Sequence, residues 1–339
     1  MNTQASTSKL PTSVAYSIVG VVIIGRNEGA RLIACLESLT DFIPHVVYVD
    51  SASSDNSLAE AKKQGAHVVS LDMTQPFTAA RARNTGFDTI LSLYPNIQFV
   101  QFVDGDCVVN SNWIQTAADF LNDNPNIAVV CGRRREIFPQ RSIYNQMCDE
   151  EWNTPIGEAK ACGGDALMRA DVIKLVGGYR NNLIAGEEPE LCIRIRQAGY
   201  LVWRIDAEMT LHDAAMIRFS QWWKRTMRAG YAYGEGVYLH GNAPEHHWVA
   251  ESKRGWIWGL LLPIAIILML FFIPVLGLIL LLVYPLQIIR LTIKSKQKFK
   301  DAFFQATFLT LGKFAEAVGQ IKFLFNQYLG QQSKIIEYK

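Results

Sequence analysis

The stretch FVQFVDGDCVV, Phe99 to Val109, decides how the rest of the chain is read. It begins as an apolar run of strand length and ends on two carboxylates, Asp104 and Asp106, one glycine apart. Carboxylates reach the edge of a core only with a partner. Outward from this stretch the same pattern recurs, a short apolar run closing on polar residues: SIVGVVIIG (17–25), HVVYVD (45–50), HVVSL (67–71), IAVVCG (127–132) and YLVWRI (200–205). Between these runs lie helical patterns. NEGARLIACLESL places Leu32, Leu36 and Leu39 at helical spacing, and SDNSLAEAKKQGA has Asp55 or Asn56 as cap and Gly65 as stop. AARARNTGFDTILSL and SNWIQTAADFLNDNP continue the alternation. Strands alternating with helices predict βαβ units, hence an α/β fold with a mostly parallel sheet and helices on both faces.

In such sheets ligands bind beyond the carboxyl ends of the strands. Arg26, Asn27 and Glu28 follow the first strand, Asp50 and Ser51 the second, and Asp104 and Asp106 the fourth. Singly, each could be a helix cap or a loop residue; together they predict one polar rim. The first turn, GRNEGA, lacks the GxGxxG on which a dinucleotide's pyrophosphate would rest, so a dinucleotide-binding Rossmann domain is disfavoured. Paired carboxylates repel a diphosphate unless a divalent cation lies between them. The partner expected for Asp104 and Asp106 is therefore Mg²⁺ or Mn²⁺ carrying a nucleoside diphosphate, with Gly105 allowing the turn to bend.

In order along the chain, VVIIGRNEGARLIACLESL, VVYVDSASSDNS, ARARNTGF, FVDGDC, CGGDALMRADVIKLVGGY and GEEPELCIRIRQAGY resemble the motifs of glycosyltransferase family 2, whose nucleotide-sugar domain has the Rossmann-like GT-A fold. The likeness runs from about Val19 to Arg225. It implies donor-binding roles for Arg26, Glu28, Asp50, Arg81, Asn84 and Asp104, and a metal at Asp104 and Asp106. It implies that Gly164, Asp165 and Glu187 line the sugar and acceptor, and that Glu188 is the catalytic base of an inverting transfer. Within GEEPEL the alternatives Glu187 and Glu190 stay open, because the family usually has aspartate at the base position. His212, in TLHD, is either a further metal ligand, as a late histidine is in some relatives, or a structural histidine. The first turn lacks the family's proline. QWWKR (221–225) only loosely echoes the Q-x-x-R-W of processive synthases, which argues against processive synthesis.

Composition sets the remaining expectations. Half of the 339 residues are hydrophobic and the net charge is only +2, which argues against a nucleic-acid partner. The six cysteines fall in no CxxC spacing and read as reduced core residues; the polar start MNTQASTSKLPTS carries no signal-peptide pattern. From Gly259 to Ile289 the sequence has no charged residue. A straight helix of that length would reach roughly 46 Å, against about 30 Å of hydrocarbon. Pro274 and Gly277 interrupt it, and Lys253, Arg254, Arg290, Lys294, Lys296, Lys298 and Lys300 flank it on both sides. This predicts a spanning or re-entrant helical hairpin with both ends cytoplasmic.

The expected organisation is a disordered 1–15, a GT-A domain over 16–250, a membrane hairpin over 251–293, and a basic segment with an amphipathic helix over 294–339. The last helix is a candidate for contact with lipid or a second copy. A family 2 enzyme at the inner face of the plasma membrane implies a lipid-linked or saccharide acceptor, with cell-surface or exopolysaccharide assembly as the setting. Two other readings stay open: a catalytically inactive sugar-nucleotide-binding or scaffold protein, and a nucleotidyltransferase, which would need a glycine- and arginine-rich phosphate loop not seen here.

Overall fold

The computed structural model describes residues 17–331, so the expected disordered segment 1–15 and the last eight residues of the C-terminal segment lie outside the described residues. The chain divides into two compact units. One comprises the residues through Phe138, Cys148–Leu183 and Glu187–Ala214; the other comprises Pro139–Met147, Ile184–Gly186 and the residues from Ala215.

The first unit opens with β1 (Val19–Gly25), α1 (Ala30–Glu37), β2 (Val46–Asp50), α2 (Ser57–Lys63), β3 (His67–Ser70), α3 (Ala79–Leu93) and β4 (Phe99–Asp104). These are the predicted βαβ units, and β1 pairs in parallel with both β2 and β4 while β2 pairs in parallel with β3. Valine and isoleucine along β1 and β2 are buried on both faces because helices cover both, which suits near-continuous apolar runs. Asp55 accepts the Ser57 N–H at the start of α2, and Gly65 ends that segment at φ 89°. Thr78 caps α3 by accepting the Arg81 N–H.

The second half of the sheet is mixed. The DGD turn separates β4 from β5 (Cys107–Val109), followed by α4 (Trp113–Asp123), β6 (Ile127–Glu136), α5 (Ile143–Glu151), β7 (Gly157–Glu158), β8 (Ala166–Arg169), α6 (Ala170–Leu175), α7 (Glu187–Gln197) and β9 (Leu201–His212). The sheet order is β3-β2-β1-β4-β8-β6-β9-β5, with β7 also on β9. β8, four residues too short to stand out in the sequence, lies antiparallel between β4 and β6. IAVVCG is therefore a strand but not the neighbour of β4. β9 extends well past YLVWRI, pairs in parallel with β6, and pairs antiparallel with β5 in a register that sets Cys107 opposite His212. Around Arg133 and Arg134 the β6–β9 register shifts; bulges of this kind re-aim side chains near sites.

The second unit is helical: α8 (Phe219–His240), α9 (Val249–Trp256), a π-helical turn at Ile257–Leu261, α10 (Leu262–Phe272), α11 (Pro274–Leu281), α12 (Val283–Lys294) and α13 (Phe299–Leu329). The helix direction reverses at Ile273, which leaves helical geometry at φ −139° and ψ 74° immediately before Pro274. On the two sides of this turn the Tyr284 hydroxyl donates to the Trp258 carbonyl at 2.7 Å. Gly277 meets the backbone of Leu270 so closely that an added Cβ would lie 2.5 Å from its nitrogen. Val249–Phe272 and Pro274–Lys294 are each long and apolar enough to cross a membrane, with mean hydropathies of 2.3 and 2.0. Each arm is longer than half of the uncharged run because the helices continue into its charged flanks.

One contact in the sheet unit is narrow enough to test. A Cβ on Gly86 of α3 would lie 2.3 Å from Val22 Cγ1 and 3.0 Å from Val49 Cγ2. Gly86→Ala should cost about 1–3 kcal/mol by overpacking, read as a lowered melting temperature. An unchanged melting temperature would show that α3 does not seat on β1 and β2 as described.

Candidate active site

The rim of the sheet unit holds the polar cluster. Asp104 ends β4, and each of its carboxylate oxygens accepts from a different arginine: Oδ1 from Arg83 Nη2 at 2.7 Å, Oδ2 from Arg134 Nη2 at 3.1 Å. Burial opposes ionisation of Asp104, but the Arg83 and Arg134 charges more than offset it and hold the carboxyl below its usual range. Arg83 also donates to Glu187 Oε1 at 2.8 Å. Arg134 also binds Asp165 through Nε at 2.8 Å. Asp165 is wholly buried; it accepts the Asp104 N–H and the Thr210 hydroxyl as well, and so braces both Arg134 and the end of β4. Gly164 passes directly over this group, since a Cβ there would lie 2.9 Å from Asp104 Oδ2 and 3.0 Å from Arg83 Nη2.

Asp106 faces the other way. The turn at Gly105 carries it toward the end of β9, where its Oδ2 lies 3.1 Å from His212 Nε2. Asp106, Cys107 and His212 offer ligand atoms within 4.8 Å of one another, all in buried residues. The carboxylate is a donor suited to Mg²⁺ or Mn²⁺, and the imidazole adds a donor that first-row transition ions accept. The donor set therefore fits the expected metal at Asp106 and His212, while Asp104 is engaged by arginines. The His212 ring stacks on Trp152, with centroids 4.7 Å apart and planes 19° from parallel.

The three glutamates of GEEPEL separate at the start of α7. Glu187 pairs with Arg83. Glu190 is bound by Arg180 at 2.6 Å and Arg194 at 2.7 Å. Glu188 is buried: its Oε1 accepts the Cys162 N–H at 2.6 Å and both the Cys162 and Cys192 thiols at 3.0 and 3.1 Å. Burial pushes the Glu188 carboxyl above its ordinary range, and the hydrogen bonds from Cys162 and Cys192 pull it back only in part.

The remaining predicted residues lie along the first two strand ends and α3. Asp50 is buried, accepting from the Tyr48 hydroxyl at 3.0 Å and the Ser53 N–H at 2.8 Å. Arg26 lies over the Phe77 ring at 5.1 Å, and Glu28 pairs with Arg31 at 2.7 Å. Arg81 donates to the carbonyls of Asp72, Gln75 and Pro76, holding that loop; Asn84 donates to the Tyr179 carbonyl and accepts its N–H. Sequence reasoning missed Arg83, Arg134 and Trp152. Arg83 was legible in ARARNTGF only as the second of two arginines that a helix points in different directions. Arg134 is one of three in GRRRE, and only the strand register selects it.

Residues 20–170 match the family model described as glycosyl transferase family 2. The chain is 24% identical over 237 residues to glycosyltransferase AglE of Haloferax volcanii, covering 66% of this chain and 73% of that protein. It is 24% identical over 204 residues to the succinoglycan biosynthesis protein ExoA of Rhizobium meliloti, covering 55% of this chain and 60% of that protein. Among solved structures it resembles the mannosyltransferase PcManGT of Pyrobaculum calidifontis, solved with GDP-Man and Mn²⁺. The TM-score is 0.60 at 17% identity, over 90% of this chain and 87% of that one, a likeness of fold. Residues 20–170 thus match glycosyl transferase family 2, and the sheet unit that carries them has the GT-A fold.

Proposed function

We propose that the protein is an inverting, metal-dependent transferase that moves a sugar from a nucleoside-diphosphate sugar, of the UDP-sugar class, to a hydroxyl of a lipid-linked saccharide. The observation that carries this reading is the division of the DGD pair. Asp104 is locked by Arg83 and Arg134, and Asp106 is turned to His212. Asp106 and His212 would hold the divalent cation, which when bound offsets the charge that develops on the diphosphate leaving group. Arg26, Glu28 and Asp50 lie on the nucleoside side of the rim, while Arg81 and Asn84 fix the loops that border the donor. In the transfer, the acceptor oxygen forms a bond to the anomeric carbon as the bond from that carbon to the diphosphate oxygen breaks. The acceptor proton passes to a carboxylate, and the nucleoside diphosphate leaves.

Glu188 is the base in this reading. Its carboxyl, raised by burial, holds a proton more readily than an exposed glutamate, which suits a general base. Glu187 is the second reading, favoured by its direct link through Arg83 to Asp104. Glu188→Gln should leave donor binding intact and lower turnover about 10²–10⁴-fold. A larger loss in Glu187→Gln, with Glu188→Gln active, would move the base to Glu187. Because the base must be ionised, kcat/KM should fall on acidification through a pKa above the usual glutamate range near 4.3. A wild-type profile flat down to that range would contradict the assignment. Release of nucleoside diphosphate should also stop in excess chelator and return with Mn²⁺ or Mg²⁺. Full activity in chelator would rule out the metal.

The apolar hairpin supports a membrane site of action, and cations at both of its ends favour a cytoplasmic catalytic unit. Cysteines introduced at exposed Lys253 and Lys296 should both be labelled by an impermeant thiol reagent in inverted vesicles and neither in intact cells. The native cysteines are all buried, which keeps the background low. Labelling of either position from outside would contradict the hairpin topology.

A further inference from the structure

We propose that Trp152 is a positioning residue for the cation site: its indole fixes the plane of the His212 ring and couples that ring to the arginine that holds Asp104. The inference rests on the reading of Asp106 and His212 as the cation's ligands. The ring of a histidine turns easily about its terminal torsion, which has broad minima. His212 ends β9, so a neighbour must hold its ring if Nε2 is to stay on Asp106. Trp152 supplies that neighbour as a nearly parallel face 4.7 Å away. The same indole has the Arg134 guanidinium 5.3 Å from its centroid, within cation–π range. Arg134 in turn reaches Asp104 Oδ2 and Asp165. One side chain therefore touches both halves of the DGD arrangement, the histidine that faces Asp106 and the arginine that faces Asp104.

The backbone under Trp152 is itself anchored. Its N–H donates to the Cys148 carbonyl at 3.0 Å, closing the last turn of α5. One turn earlier, Asp149 is bound by Arg133 at 2.9 Å and accepts the Glu136 N–H at 3.0 Å, both on β6. The end of α5 is thus tied to the strand that carries Arg134, and the indole cannot drift from it.

The test is Mn²⁺ affinity, read by electron paramagnetic resonance of the free ion in the purified full-length protein without donor or acceptor. Folding is followed separately by thermal melting without metal. Trp152→Met and Trp152→Leu remove the flat face and should weaken Mn²⁺ binding about 10–100-fold, as loss of a group that orients a metal ligand typically does. Trp152→Phe keeps a face and should bind Mn²⁺ close to wild type. His212→Ala and Asp106→Ala calibrate the site. If these two lose Mn²⁺ while the folded Met or Leu variant binds as wild type, the role of Trp152 is overturned and the site stands. If Phe is as weak as Met, the stacked face is not the operative feature and the proposal falls. If His212→Ala and Asp106→Ala both retain Mn²⁺, the underlying metal reading falls with it.

Discussion

Two guanidiniums gripping one carboxylate hold the rim together. Arg83 from α3 and Arg134 from β6 approach Asp104 from two elements far apart in sequence, and each carries a second acid, Glu187 and Asp165. Removing one partner from such a buried set leaves an uncompensated charge and typically costs about 3–5 kcal/mol. The set also separates the acids: Asp104, Asp165 and Glu187 share the two guanidiniums, while Asp106 faces His212. Because the arginines engage both oxygens of Asp104, the acid facing His212 is Asp106.

Topology makes this division possible. A DGD turn in a plain parallel sheet would leave both carboxylates at one strand end. Here the chain turns at Gly105 and pairs at once, as β5, with the last residues of β9, Thr210 to His212. That pairing brings Asp106 to His212, two residues from positions over a hundred apart in the chain. β8 fills the space beside β4, and Gly164 and Asp165 meet the cluster just before that strand begins. The strand register, more than any single motif, sets which polar side chains meet.

Local patterns in the sequence carried the parallel half of the sheet. Val19–Gly25, Val46–Asp50 and Phe99–Asp104 are apolar runs bounded by turn residues, and the helices between them show clear spacing and stops. The rim position of Asp50, Asp104 and Asp106 followed from where those runs end. What was not legible depended on long-range pairing. Ala166–Arg169 is too short to announce itself as a strand, and the choice of Arg134 among three arginines depends on a register shift against β9. Trp152 lies outside every motif, and its place against His212 exists only once α5 is tied to β6. The helical hairpin shows the same limit: its turn at Pro274 was visible, but the lengths of its arms depended on helices continuing into charged flanks.

The most direct measurement compares Mn²⁺ affinity in Asp104→Asn and Asp106→Asn by calorimetry on the detergent-solubilised protein. If the two carboxylates have divided roles, Asp106→Asn abolishes measurable binding, whereas Asp104→Asn, whose side chain faces arginines, keeps most of it. Loss of Mn²⁺ in Asp104→Asn with full retention in Asp106→Asn would contradict that division.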